Sequence, residues 1–152
     1  MVVLGVISDT HGLLRPEAIE ALRGVDRIVH AGDVCGRAVL EALSLLGRVD
    51  AVRGNNDRDP FGRTLPATLD LAIEGVRVHV LHDRSDLAAA GATADVVISG
   101  HSHRANIERV GGTLYVDPGS AGPRRFSLPV SVARVTLGAG VPSAEIVLLA
   151  SH

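Results

Sequence analysis

Apolar residues reach the first third of this chain in short unbroken runs and the last third in alternation. Val2 to Ile7 is almost continuous, the pattern of a strand covered on both faces. Pro16 then opens a helix that carries Ile19, Leu22 and Val25 at helical spacing. The unit repeats: "RIVHAGD" predicts a second strand, "GRAVLEALSLLG" a helix with Val39, Leu43 and Leu46 on one stripe and Gly47 at its end, and "DAVRGNND" a third strand. These three strands are expected to lie parallel. After Pro66 the texture changes. "ATLDLAIEG" and "VRVHVLH" alternate about a turn at Glu74 and Gly75, a short Ala-rich helix is predicted over Asp86 to Gly91, and "DVVISGHSH" follows. Two hairpins are expected beyond His103, one across Gly111 and Gly112 and one around Gly138 to Pro142. The fold class this predicts is α/β: two mixed β-sheets face to face with helices outside, a four-layer α/β/β/α sandwich.

Composition narrows the function more than the fold. At 152 residues the chain is expected to form one domain, residues 1–152, with no repeat or linker. Hydrophobic residues make up 46% of it and aromatics 2%, so the core must be built from Val, Leu, Ile and Ala. A net charge of −2 and the near absence of rings argue against a stacking platform or a broad phosphate-tracking surface, and no stable nucleic-acid partner is expected. The first apolar run has no basic flank and meets Asp9 too soon for a signal peptide, and no run reaches the roughly 18 residues of a membrane span. A cytoplasmic location with no membrane contact is the expectation, and the single cysteine, Cys35, agrees with a reducing compartment. Every basic residue other than histidine is Arg, which excludes lysine Schiff-base chemistry.

The candidate chemistry lies at strand ends. Asp9 and His11 follow the first strand, Asp33 the second, and Asn55 and Asp57 the third, while His82 ends a later strand and His101 and His103 follow "DVVIS". In open α/β sheets the loops at the carboxyl edge form the ligand crevice, so these side chains can converge from distant positions. Gly12, Gly32, Gly54 and Gly100 stand beside them, which permits close approach. Asp-x-His alone is an ordinary turn, and "GHSH" alone is ambiguous. Together the carboxylates, the amide and the imidazoles supply the donors of a first-row divalent metal site, in a number too large for one ion. No G-x-x-x-x-G-K-[ST] loop is present, and Ser120 in "DPGSAG" lacks the glycine two positions before it that a nucleophile elbow requires.

Taken in order, "SDTHG", "HAGD", "GNND", "LHD", "GHSH" and "VDPGSAGPRR" resemble the calcineurin-like metallophosphoesterases, and among them the small bacterial and archaeal phosphodiesterases. The resemblance implies that Asp9, His11 and His103 hold one metal, that Asn55, His82 and His101 hold the other, and that Asp33 bridges them. It also makes Asn55 and His82 phosphate contacts. The implied cofactors are two divalent ions, Mn first, with Fe, Ni or Zn alternatives. The implied substrate is a phosphate ester, attacked in line by a hydroxide that bridges the two ions. Four positive charges on the metals, less two carboxylates and one hydroxide, leave roughly one net positive charge facing that ester.

Three departures from the family pattern stand out. Asn56 occupies a position where many relatives carry His; it is a candidate substrate contact but cannot act as a general acid, which predicts slow turnover unless the leaving group is good or another residue protonates it. Asp83 and Arg84 follow His82 where His-Gly-His is usual, and Asp117 replaces a common Asn. Asp57 reads equally as a turn former and as a residue orienting a ligand. His30 is expected as a hydrogen-bonded core residue, Cys35 as a small buried side chain, His79 and His152 as surface positions, and Asp26, Asp50 and Asp95 as turn formers ahead of strands. Arg124, with Arg125 beside it, is a candidate phosphate contact. Two other readings stay open on sequence alone: a non-catalytic interaction module, as in the retromer subunit of this fold, and a phosphomonoesterase or nucleotidase using the same residues. Oligomeric state is not encoded in any readable pattern.

Overall fold

In the computed structural model, which describes residues 1–88, 93–125 and 127–149, the apolar runs become ten strands. The first five elements are β1 (Val2–Ile7), α1 (Pro16–Ala21), β2 (Arg27–His30), α2 (Arg37–Ser44) and β3 (Arg48–Ala51). Then come β4 (Thr68–Ile73), β5 (Val76–Leu81), β6 (Val96–Ile98), β7 (Ala105–Val110), β8 (Thr113–Pro118), β9 (Ser131–Leu137) and β10 (Ser143–Leu148). They form two five-stranded mixed sheets, ordered β10-β9-β1-β2-β3 and β4-β5-β6-β8-β7. As expected, β1, β2 and β3 run parallel. The hairpins β4–β5, β7–β8 and β9–β10 are antiparallel, also as expected.

The period-two alternation of each strand sorts its side chains between two cores. Leu4 and Val6 of β1 pack with Val29, Val78, Val80, Ile98, Val116 and Val135 between the sheets. Ile7, on the opposite face of β1, packs with Ala18 and Leu22 of the α1 region and with Val39 and Leu43 of α2. The helical cover is uneven. Both α-helices lie over the β1-containing sheet, whereas Leu81, Ala94, Val97 and Tyr115 form a smaller cluster on the other sheet, where the described residues hold no α-helix. The helix expected over residues 86–91 is not borne out in its described part: a 3₁₀ turn at Arg84–Asp86 ends where that helix should start and Leu87 is already extended, while residues 89–91 lie outside the described part.

Several boundaries differ from expectation. Helix α1 ends at Ala21, and Leu22 and Val25 reach the core from the turn beyond it. Strand β3 begins at Arg48, so Asp50 is not a turn former: it lies inside the strand and takes a hydrogen bond from Arg27 at 2.7 Å. Asp26 and Asp95 do hold turns, accepting from the backbone N–H groups of Val3 and Arg77 at 2.8 Å each. His79 is not a surface residue. It is buried opposite Asp70, its cross-strand partner, with Nδ1 2.8 Å from the Asp70 carboxylate. His152 lies outside the described residues. No helix among the described residues is long and apolar enough to cross a membrane.

Candidate metal centre

The loops leaving β1, β2, β3, β5 and β6 meet at one edge of the sandwich. Pairing between the first two continues past the strands, with Asp9 N–H donating to Gly32 O, His11 N–H to Asp33 O and Gly12 N–H to Val34 O at 2.9–3.0 Å. The backbone leaves the strand conformation to make this turn. Asp9, His11, Asp33, His101 and His103 all have positive φ, five of the seven non-glycine residues that do among the described ones. Each such residue costs on the order of 1 kcal/mol, so the surrounding contacts must hold it there.

Asp57 supplies much of that restraint. Its buried carboxylate accepts from the backbone N–H groups of Asp33, Val34 and Gly54 at Oδ2 and from Cys35 at Oδ1. Gly54 and Gly100 allow the loops to close: a Cβ on Gly54 would stand 2.1 Å from Asp33 Oδ1, and one on Gly100 2.0 Å from Ser8 Oγ. Ser8, which sequence reasoning missed, donates to Asp9 Oδ2 at 2.7 Å, and His101 N–H donates to the same oxygen at 3.0 Å. Only its position at the strand end, beside the acid, could have marked it.

The other oxygen, Asp9 Oδ1, is buried without a hydrogen-bond partner, as is His11 Nε2. Around Asp9 Oδ1 stand His103 Nε2 at 3.5 Å, His11 Nε2 at 3.8 Å and His82 Nε2 at 3.8 Å. Asp33 Oδ2 lies 3.4 Å from His82 Nε2 and 3.7 Å from His11 Nε2. These gaps are too long for hydrogen bonds. They are near the ~3.4 Å that separates two donors bound tetrahedrally to one cation at about 2.1 Å. Two overlapping donor groups result, Asp9–His11–His103 and Asp9–Asp33–His82. The donor set fits divalent metal.

Electrostatics favour the same species. Burial raises the pKa of Asp9, but His103 and Ser8 outweigh it and hold the acid below its ordinary value. Burial likewise works against ionised Asp33, and the nearby His82 ring together with two hydrogen bonds from Asn56 overcomes it, so this carboxyl stays well below the usual range. Burial disfavours charge on His82, yet its contacts with Asp33, Ala31 and Asp9 raise it to about 9. Its Nδ1–H donates to Ala31 O at 2.7 Å, which aims Nε2 at the carboxylates.

The model of the calcineurin-like phosphoesterase superfamily domain matches residues 2–140. The chain belongs to this superfamily. A probable metallophosphoesterase of Methanothermobacter thermautotrophicus is 37% identical over 148 residues, covering 88% of this chain and 86% of its own. Among solved structures, an archaeal phosphodiesterase superposes with a TM-score of 0.81 at 23% identity, over 97% of this chain and 99% of that one. Wild-type Vps29 from Entamoeba histolytica, solved in complex with zinc, gives 0.73 at 23% identity, over 96% and 98%. At those identities the two structures establish shared fold.

In this calcineurin-like chain the remaining candidates fall at graded distances. Asn55 Oδ1 is 3.1 Å from His82 Nε2. The His101 ring stands edge-on to His82 with centroids 5.1 Å apart, while its half-exposed Nε2 faces Asp83 Oδ2 at 3.6 Å. Asn56 turns toward Asp33: its backbone N–H reaches Oδ1 and its side-chain amide Oδ2, both at 2.9 Å. Cys35 is half-exposed rather than buried, with Sγ 3.9 Å from His11 Nδ1. Burial and the neighbouring Asp57 and Asp33 push its thiol up to about 11. His30 is the buried, hydrogen-bonded residue expected, lying against Thr10 and Gly32 N–H. Asp117 holds a loop, accepting from Ser102 Oγ and Gly119 N–H. Arg124 is exposed and lines neither cavity beside the site.

Proposed function

We propose that this chain is a phosphodiesterase that works with two divalent cations, Asp9, His11 and His103 holding one, Asn55, His82 and His101 the other, and Asp33 shared between them. The observation that carries the proposal is the convergence of the unpartnered Asp9 Oδ1 and His11 Nε2 with the ring nitrogens of His82 and His103, all within 3.8 Å of Asp9 Oδ1. Two such cations supply an acidified water aligned for in-line attack and positive charge for the phosphoryl oxygens. The chain's own residues do the rest. Asp9 and Asp33 are ionised and ready to bind, and Ala31 fixes the tautomer of His82. Asn55, His82 and His101 border a cavity of about 320 Å³ that admits the ester. Asn56 is no general acid, so unless another residue protonates the leaving group, esters of acidic alcohols or phenols suit the site best.

Mixed imidazole, carboxylate and amide donors accept Mn, Fe, Ni or Zn, and we assign Mn, in the reducing cytoplasm that a single cysteine suits. The likeness to an archaeal phosphodiesterase supports diester over monoester hydrolysis. A role as an interaction module predicts eroded ligands, and all seven are present. The test is hydrolysis of bis(4-nitrophenyl) phosphate by chelator-stripped protein titrated with Mn²⁺. A rate that saturates near two metals per chain, and is lost in folded Asp33→Ala, is expected. A folded, metal-binding protein with no metal-dependent rate would turn the reading toward the interaction module, and preference for a monoester toward a nucleotidase.

A further inference from the structure

Asp83 follows His82 directly, and its two carboxylate oxygens have separate surroundings. Oδ1 caps the 3₁₀ turn Arg84–Asp86, accepting from Ser85 N–H at 3.0 Å and from Ser85 Oγ at 2.8 Å. A cap of this kind needs one oxygen, and Asn or Ser would serve it as well as Asp. Oδ2 is left over, and the turn sets it 3.6 Å from Nε2 of His101. A full negative charge thus stands where a neutral cap would hold the loop equally well.

The charge lies on both approaches to the metal centre. Two cavities flank His101, one of about 320 Å³ bordered by Asn55 and His82 and one of about 260 Å³ bordered by Ser102 and Tyr115, and Asp83 lines both. Neither set of lining residues cancels it. In the first cavity Asp83 and Asp86 face the guanidinium of Arg53. In the second, Asp83 and Asp117 face Arg84 and Arg104, but Arg84 is already paired with Glu108 and lies over the Tyr115 ring. Among the described residues, each approach therefore carries about one carboxylate in excess.

That excess is comparable to the charge of the centre itself. Two cations, less Asp9, Asp33 and a hydroxide, leave roughly one net positive charge, and Asp83 beside His101 brings the sum close to zero. A phosphodiester carries one negative charge, whereas a phosphomonoester carries nearly two above its second pKa of about 6. The second charge gains nothing from a neutral centre and is repelled by a carboxylate at its edge.

Resting on the phosphodiesterase reading above, we propose that Asp83 is a specificity-determining residue: its carboxylate, held by Ser85 beside His101, discriminates against dianionic phosphomonoesters and leaves monoanionic diesters as the substrate class. The discrimination acts through charge and not through shape, so an isosteric amide removes it.

Asp83→Asn tests this, because the amide oxygen can still accept from Ser85 while the charge is gone. Calorimetric titration of the Mn²⁺-loaded proteins near pH 8 uses phenylphosphonate, a dianion, and methyl phenylphosphonate, a monoanion of similar shape. Both should bind Asp83→Asn more tightly than wild type, the dianion gaining about tenfold more than the monoanion, and the gain should shrink as salt is raised. In the same preparations kcat/KM for 4-nitrophenyl phosphate should rise by a similar factor relative to bis(4-nitrophenyl) phosphate. Glu41→Gln, which removes the same charge from an exposed position on α2, should keep both wild-type ratios. An unmoved binding ratio in Asp83→Asn, or an equal shift in Glu41→Gln, would overturn the assignment. Loss of Mn²⁺ from Asp83→Asn, read as metal content, would overturn it too, since Asp83 would then serve to hold His101 for the metal. A binding ratio that depends on Asp83 without hydrolysis of either ester sinks the catalytic reading and leaves the discrimination standing; hydrolysis of the diester with an unmoved ratio does the reverse.

Discussion

Asn56 donates twice to Asp33, and that commitment decides what the residue can do. With Oδ1 held by its backbone N–H and Oδ2 by its side chain, the carboxylate is oriented before any cation arrives. Loss of such an orienting partner typically weakens metal binding by about 10–100-fold. Asn56→Ala should therefore bind Mn²⁺ more weakly by that factor in a chelator competition, and unchanged affinity would return Asn56 to the substrate contact its neighbourhood in sequence suggested. At this scale the ligand candidates were legible because chemistry restricts donors to a few residue types, and five of them carry the positive φ that no spacing rule announces. Their partners were less so. Asp57 read equally as a turn and as an orienting residue, and it is both, since one carboxylate accepts from two loops. Cys35 was misjudged because its small apolar side chain says nothing of a loop that leaves it half-exposed.

Among the elements, strand identity followed from alternation, but strand order did not. Nothing in the run Ser131–Leu137 shows that β9 inserts antiparallel between β1 and β10, or that β8 returns past β7 to lie parallel beside β6. Those choices depend on which faces remain uncovered once the first β-α units have formed. Helix α1 was read too long because Leu22 and Val25 keep helical spacing in a turn that is not helix. Loop closure gives a sharp prediction at this level. Gly54 follows β3, and because a Cβ there would lie 2.1 Å from Asp33 Oδ1 and 2.4 Å from Asp33 N, the loops of β2 and β3 would have to separate. Gly54→Ala should lose several kcal/mol of stability together with Mn²⁺ affinity, as overpacking against backbone does. Gly112→Ala, with no atom within 4 Å of the added Cβ and no positive φ, should stay within about 0.5 kcal/mol of wild type. A Gly54→Ala protein that melts and binds metal like wild type would show that the two loops yield.

For the whole molecule, the link between the site and global stability runs through His30. This residue is fully buried at the end of β2, where the inter-sheet core meets the metal loops. Thr10 Oγ1 donates its one proton to Val34 O, so His30 Nε2–H must donate to Thr10, and Nδ1 accepts from Gly32 N–H. Both ring nitrogens are thus satisfied only in the neutral form. Burial lowers the pKa to about 4, against the pull of Asp9, Asp57 and Asp33 and with a smaller contribution from His82. The unfolded chain, whose histidine titrates near 6.5, then takes up the proton first. Stability from this group is complete above about pH 6.5 and is lost as the pH falls toward 4, by about 3 kcal/mol at most. His82, raised to about 9 in the fold, also changes its proton count on unfolding, so the informative quantity is a difference between two proteins. Urea unfolding of metal-free wild type and His30→Gln at pH 7.5 and pH 5 should show the larger acid-side loss in wild type, because the glutamine cannot be protonated. Equal losses in the two proteins would mean that His30 folds with its proton already bound, and that the neutral tautomer set by Thr10 and Gly32 is not the one that holds the metal loops together.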